Sequence, residues 1–152
     1  IEALDTALRR RFSFIEMPPK PKLIETEGRS GAVNGIVDGI NLKKLLITIN
    51  KRIEKLIDKD HKIGHSYFLK VNSKPKLIHC FKNEVIPLLE EYFFGDYGKI
   101  GLILGDSFVT KDDTDDFEFS EFESYDADVS SDLKERSVYK IANSKDWDFK
   151  TI

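Results

Sequence analysis

Between residues 41 and 59, Leu42, Leu45, Leu46, Ile49, Ile53, Leu56 and Ile57 recur at the spacing of one helical face, while Lys44, Lys51, Arg52, Glu54, Lys55 and Asp58 fall mainly on the others. Asn41 precedes the stripe as a capping residue, so the pattern predicts an amphipathic helix over 41–59. A second stripe, Phe81, Val85, Leu88, Leu89 and Tyr92, predicts a helix over 80–94. Pro87 either kinks it or marks its effective start, because proline lacks a backbone donor and crowds the preceding turn. A third, short helix is predicted over 97–104, bounded by Gly98 and Gly105. Phe12-Ser13-Phe14-Ile15 alternates like a strand, and Ser137–Ile141 is strand-like. Each helix is too apolar on one face to stand alone.

The connecting segments differ in kind. Met17-Pro18-Pro19-Lys20-Pro21 obstructs helix and sheet alike and reads as a hinge. Residues 22–40, with Gly28, Gly31, Gly35 and Gly39, read as a loop or a short helix of low stability. From Asp112 to Asp132 there are ten acidic residues and no basic one, interleaved with Phe117, Phe119, Phe122 and Tyr125. Such a stretch makes a wet-faced strand, a solvated insertion or a peptide that docks on a partner, and the insertion is the expected form. It lacks the ordered acidic loop of a calcium site. Trp147, Phe149 and Ile152 are positioned to pin the end of the chain to the helices.

A chain of 152 residues, 40% hydrophobic and 34% charged, suffices for one compact domain. The net charge of −3 conceals an asymmetry: residues 1–104 hold 18 Lys and Arg against 13 Asp and Glu, residues 105–152 only 6 against 14. The first part favours anions; the second is no nucleic-acid face. Cys80, the one cysteine, excludes an internal disulfide and fits a reducing cytoplasm. No apolar run approaches a membrane span, and no signal-peptide pattern opens the chain. His61, His79 and Cys80 lack metal-ligand spacing, so no metal is expected, and His79 and Cys80 are expected at edge and core positions.

The candidate chemistry starts with Arg9, Arg10 and Arg11, set between an apolar turn and the Phe-Ser-Phe-Ile stretch. Guanidinium groups stay charged and offer planar donor forks to phosphoryl oxygens. The plain alternative is a solvated basic turn at a helix end. Gly64-His65-Ser66, between the first two predicted helices, is the second candidate. At a helix start, free N–H groups favour phosphate, Ser66 either caps or binds, and a protonated His65 reports phosphate charge. A capped helix start with a buried histidine is the alternative. No Gly-x-x-x-x-Gly-Lys-Ser/Thr loop and no acidic Walker-B strand occur, so the chain is not expected to hydrolyse nucleotide by itself.

Leu4-Asp5-Thr6-Ala7-Leu8-Arg9-Arg10-Arg11-Phe12 resembles the arginine-finger segment of AAA+ nucleotide hydrolases. With Ile63-Gly64-His65-Ser66-Tyr67-Phe68 and Ile86-Pro87-Leu88-Leu89-Glu90-Glu91-Tyr92-Phe93, the chain resembles the McrB type, the GTP-driven motor subunit of 5-methylcytosine-specific restriction systems. The resemblance covers residues 1–104 and fades through the acidic stretch. It implies a mainly α fold: a helical lid at 22–104, preceded at 1–21 by the last core strand, arginine-finger segment and hinge, and followed at 105–152 by an acidic-aromatic insertion and a small β or irregular extension. The chain then reads as the C-terminal piece of a longer protein. The resemblance further implies Arg11 as the catalytic finger with Arg10 as a second contact, and Gly64, His65 and Ser66 as nucleotide-sensing residues. His65 and Ser66 replace the arginine that many AAA+ lids carry there. GTP or ATP with Mg2+ is the implied cofactor of the intact protein, with none expected in this piece. The implied partners are a homo-oligomeric ring, a nuclease subunit of the McrC type and DNA through other domains, in the cytoplasm and without a membrane. The contrasting reading is a non-enzymatic helical adaptor that docks through its acidic-aromatic segment.

Overall fold

Asp38 and Gly39 both have positive φ, 47° and 76°, the backbone that a two-residue hairpin turn of matching twist requires. They join β1 (Ile36–Val37) to β2 (Ile40–Asn41) as an antiparallel pair with Val37 opposite Ile40. The chain passes directly from β2 into α2 (Leu42–Leu56), and Asn41 Oδ1 caps that helix by accepting the Lys44 N–H at 2.9 Å. A computed structural model describes residues 11–13, 15–26, 35–112, 119, 120, 122 and 124–152. A single turn of helix, α1 (Leu23–Thr26), precedes the hairpin and buries Ile24. Within 22–40, the described residues therefore form one helical turn and a hairpin rather than a loop. The Asp-Gly pair between apolar neighbours is what specifies the hairpin.

On α2, Leu42, Leu45, Leu46, Ile49 and Ile53 are buried, as their spacing requires. The helix stops at Leu56 instead of 59, which leaves Leu56 exposed and Ile57 half-buried. The second predicted helix begins at Lys74, six residues before its expected start at 80. Ser73 Oγ accepts the Lys76 N–H and Pro75 sits in the first turn of α3 (Lys74–Cys80), where its missing donor costs nothing. Helix α3 runs through a widened π turn, Phe81–Val85, into α4 (Ile86–Tyr92). The π turn explains how Pro87 is carried inside a continuous helix. The Ile86 N–H reaches back to Phe81 O, and Asn83 Nδ2 donates to His79 O at 2.9 Å, supplying a donor where the widened ladder departs from the α pattern. Helix α5 (Tyr97–Leu104) is capped by Asp96, which accepts the Lys99 N–H, and spans the predicted range.

Past α5, Gly105 at φ 94° turns the chain into β3 (Val109–Lys111), which pairs antiparallel with β4 (Tyr139–Ile141). Between these strands lies the acidic stretch. Its described residues include α6 (Ala127–Lys134), capped by Asp126 and burying no residue. After β4, Trp147 and Phe149 fold back into the core. Phe108 stacks on Trp147 at 5.1 Å and meets Phe149 edge-on at 5.2 Å, while Phe81 contacts Phe149 at 4.9 Å. The Trp147 indole N–H donates to Ala142 O at 3.1 Å. Such pairs add about 0.5–1.5 kcal/mol each beyond area burial. One hydrophobic cluster thus runs from Ile24 through the helices to Phe149.

The described structure is mostly helical with a few small strands, and no described helix is long and apolar enough to cross a membrane. Phe108→Ala is expected to cost about 3–5 kcal/mol in urea unfolding, the range for emptying a core aromatic site. Phe94→Ala, at a side chain 97% exposed, is expected to stay within about 0.5 kcal/mol. Similar losses for the two would place the aromatic cluster outside the stabilising core.

Candidate functional site

The segment carrying Gly64-His65-Ser66 is fixed by a polar contact inside the apolar stripe of α2. Asn50 is the single buried polar side chain among the described residues. Its Oδ1 accepts the Ile63 N–H at 2.7 Å and its Nδ2 donates to Ile63 O at 2.9 Å. A buried amide left unpaired costs roughly 1–3 kcal/mol, so this two-way bond defines where the loop lies. Ile63 is itself buried, which seats the residue from its other end.

The loop leading to Ile63 has a second, exposed brace. Asp58 Oδ1 accepts the N–H groups of Asp60 and His61 at 2.8 and 3.1 Å and lies 2.8 Å from His61 Nδ1. The His61 contact, joined by these backbone donors, holds the Asp58 carboxyl below its ordinary range against the opposing effect of desolvation. The His61 ring also packs edge-on against Tyr92 at 4.9 Å.

From Ile63 the chain enters a four-residue 3-10 turn, His65–Phe68, with Gly64 at its start and Phe68 buried. It does not open an α-helix: the next one starts at Lys74 with Ser73 as its cap. Ser66 is exposed, and no side chain caps this turn. His65 is half-buried, and its Nδ1 accepts the backbone N–H of Lys20 at 3.1 Å. An Nδ1 that accepts carries no proton, so this contact uses the neutral ring with its proton on Nε2. A protonated ring breaks it. The same proline-rich segment is touched again where Lys59 meets Glu16 at 3.6 Å. Residues 16–20 therefore run alongside the loop 59–65 and are tied to it at both ends.

Arg11 is exposed and makes no ion pair among the described residues; Arg10 lies outside the described residues. Phe12 and Ile15 are 64% and 86% exposed, and neither is in a strand. Phe14 lies outside the described residues. The structure brings His65 to the hinge, and it does not bring Arg11 to His65 by any described contact. His79 is exposed and Cys80 is in the core. Burial pushes the Cys80 thiol up to about 12, and Glu84 adds to the shift, so this sulfur stays protonated and is a poor ligand. Sequence patterns passed over Asn50 and Arg52, although a polar residue within an apolar stripe is itself a signal. Arg52 donates to Ile103 O at the end of α5 and to Ile152 O at 2.8 Å, joining three segments.

With this geometry in view, the comparison with known proteins becomes informative. Residues 41–101, from the Asn41 cap to the middle of α5, match the family model of the McrB alpha-helical lid domain. The chain carries an McrB-type lid. It is also 32% identical to the type IV methyl-directed restriction enzyme EcoKMcrB subunit of Escherichia coli K12, over an alignment of 127 positions. That alignment covers 70% of this chain and 26% of that protein, so the chain spans about a quarter of the relative's length. The McrB-type lid thus comprises β2, α2, the 3-10 turn, the α3–α4 helix and most of α5. The matched range stops before the core aromatics Phe108, Trp147 and Phe149.

Asn50→Ala is expected to lower unfolding free energy by about 1–3 kcal/mol and to speed hydrogen exchange at the Ile63 amide. Unchanged exchange there would show that the loop is held by packing alone. His61→Ala is expected to return the Asp58 titration toward the ordinary 3.8, read by carboxyl NMR. Because the folded-state value is depressed, the stabilisation from Asp58 is present above the unfolded value and lost as pH falls through the lower folded one. The effect therefore belongs to the acid limb below about pH 4. An unmoved titration would assign the depression to the backbone N–H groups.

Proposed function

We propose that this chain supplies the lid of a GTP-driven, DNA-translocating AAA+ subunit in a 5-methylcytosine-specific restriction system. The match of residues 41–101 to the McrB lid carries this reading. Likeness to a restriction enzyme subunit supports it. In this reading the intact protein binds GTP or ATP with Mg2+ in a homo-oligomeric ring. Arg11, with Arg10 beside it, reaches a neighbour's nucleotide, while Gly64, His65 and Ser66 face the subunit's own. The contact between His65 Nδ1 and the Lys20 N–H supports a coupling role, since a shift of the 3-10 turn pulls on the chain that leads back toward Arg11. The partners are a McrC-type nuclease and DNA held by other domains, in the cytoplasm. The segment by itself hydrolyses no nucleotide, since it lacks a phosphate-binding loop.

One observation favours the alternative, a non-enzymatic helical adaptor that docks through its acidic-aromatic segment: Phe119, Phe122 and Tyr125 are exposed beside helix α6, which buries no residue. Hydrolysis by the full-length protein separates the two. Arg11→Ala is expected to slow turnover of GTP, or of ATP where that is the substrate, by roughly 10³–10⁵-fold with nucleotide affinity kept, because a finger supplied in trans acts on the transition state. Turnover equal to the unsubstituted protein would remove Arg11 from the site, and parallel loss of binding would make its role structural.

A further inference from the structure

Two stretches of this chain are opposite in charge, and each exposes charged or aromatic side chains among its described residues. Residues 61–83 contain five lysines, three histidines and no acidic residue, whereas residues 112–132 contain ten acidic residues and no basic one. In the first stretch, Lys70, Lys74 and Lys76 make no ion pair among the described residues. Lys70 and Lys76 flank a groove of about 550 Å³ between the 3-10 turn and α3, with Tyr67, Val71 and Cys80 giving it an apolar side. Glu84 is the single carboxylate in its lining. In the second stretch, Phe119, Phe122 and Tyr125 are 59%, 68% and 48% exposed, and α6 buries nothing. Asp128 and Asp132 on α6 make no ion pair among the described residues.

We propose that the groove flanked by Lys70 and Lys76 takes the acidic-aromatic face around Phe122, Tyr125 and α6 of a second copy of this chain. Charge complementarity selects this occupant: the chain itself carries a strongly acidic stretch interleaved with aromatics at 112–132, and the groove is lined for both of its components. Lysines meet carboxylates at the rim, and the apolar side receives an aromatic ring that is otherwise solvated. The contact is made in trans, since among the described residues Lys70 and Lys76 make no ion pair with Asp128 or Asp132 of the same chain. Groove and ligand are different patches, so the contact is heterologous, and repetition gives a closed ring or an open chain according to the rotation between copies. The contact requires no contribution from Arg11; Ser66, which the proposed function turns toward nucleotide, lines the same groove, and for that reason the contact is tested without nucleotide.

Reciprocal charge reversal tests this in the intact protein, in the absence of nucleotide. One variant carries Lys70→Glu and Lys76→Glu, the other Asp128→Lys and Asp132→Lys; all four residues are exposed and none caps a helix. Sedimentation velocity is expected to show each variant alone associating at least ~10-fold more weakly than the unsubstituted protein, since every contact then meets like charge. Mixed in equal amounts, the two are expected to recover association, because each groove faces a segment of opposite sign. Phe122→Ala, which leaves the charges untouched, is expected to weaken association as well. Association unchanged in either charge variant, or no recovery in the mixture, overturns the proposal. GTP and ATP turnover measured in parallel keeps the two readings apart: loss of the trans contact with turnover kept, or the reverse, assigns the failure to one of them.

Discussion

The amide of Asn50 grips both backbone groups of Ile63 from within the apolar face of α2, and the placement of the candidate site depends on it. A leucine at that position would extend the hydrophobic stripe and leave the Ile63 N–H and carbonyl to find other partners in a place closed to water. With asparagine, burial and hydrogen bonding agree on one register for the loop. The residue after Ile63 opens the turn that carries His65 and Ser66. The position of the site relative to α2 is thus set one peptide unit away, while the exposed Asp58–His61 brace shapes the approach.

The helices are held together by a different means. Phe81, Phe108, Trp147 and Phe149 come from the π turn, the start of the β3 segment and the closing segment, so the aromatic contacts join parts of the chain far apart in sequence. Arg52 adds a charged tie by donating to Ile103 O at the carbonyl end of α5 and to Ile152 O, where a cation also meets the negative end of the helix dipole. The McrB-type match ends at residue 101, yet Phe108, Trp147 and Phe149 belong to the same core as the lid helices. Phe108, Trp147 and Phe149 are therefore part of the lid's packing although they follow the matched range.

Long, regular features were legible in the residues. The stripe of α2, its Asn41 cap, the range of α5, the strand near 139–141 and the pinning role of Trp147 and Phe149 all follow from periodicity, capping chemistry or aromatic burial. Features decided by one or two residues were not read. The Ser73–Pro75 start of α3 lies outside the stripe that announced the helix, and the π turn goes with the missing donor of Pro87 and the bond from Asn83 Nδ2 to His79 O, which no hydrophobic pattern reports. The hairpin at Asp38-Gly39 was hidden among glycines that suggested a loop or a short helix, of which the short helix is found at Leu23–Thr26. Of the candidate site, the Gly64-His65-Ser66 turn was located by its wording, but its form as a 3-10 turn and the bond from Lys20 to His65 depend on long-range placement. Arg11 makes no ion pair among the described residues, and Arg10 lies outside them.

The two halves of the chain divide the physical tasks. In the lid region Lys43 pairs with Glu25 and Lys62 with Glu54, while Lys70, Lys74 and Lys76 make no ion pair among the described residues. The acidic stretch inverts that balance, and its described aromatics Phe119, Phe122 and Tyr125 are exposed, with the rings of Phe122 and Tyr125 stacked on each other at 6.2 Å. Exposed aromatics flanked by carboxylates resist collapse onto their own core, because burying them would also strip water from the charges. A basic partner surface removes that conflict, since it neutralises the carboxylates as it covers the rings. An uncovered acidic-aromatic face in a chain whose core is otherwise well filled is therefore better explained by recognition than by folding.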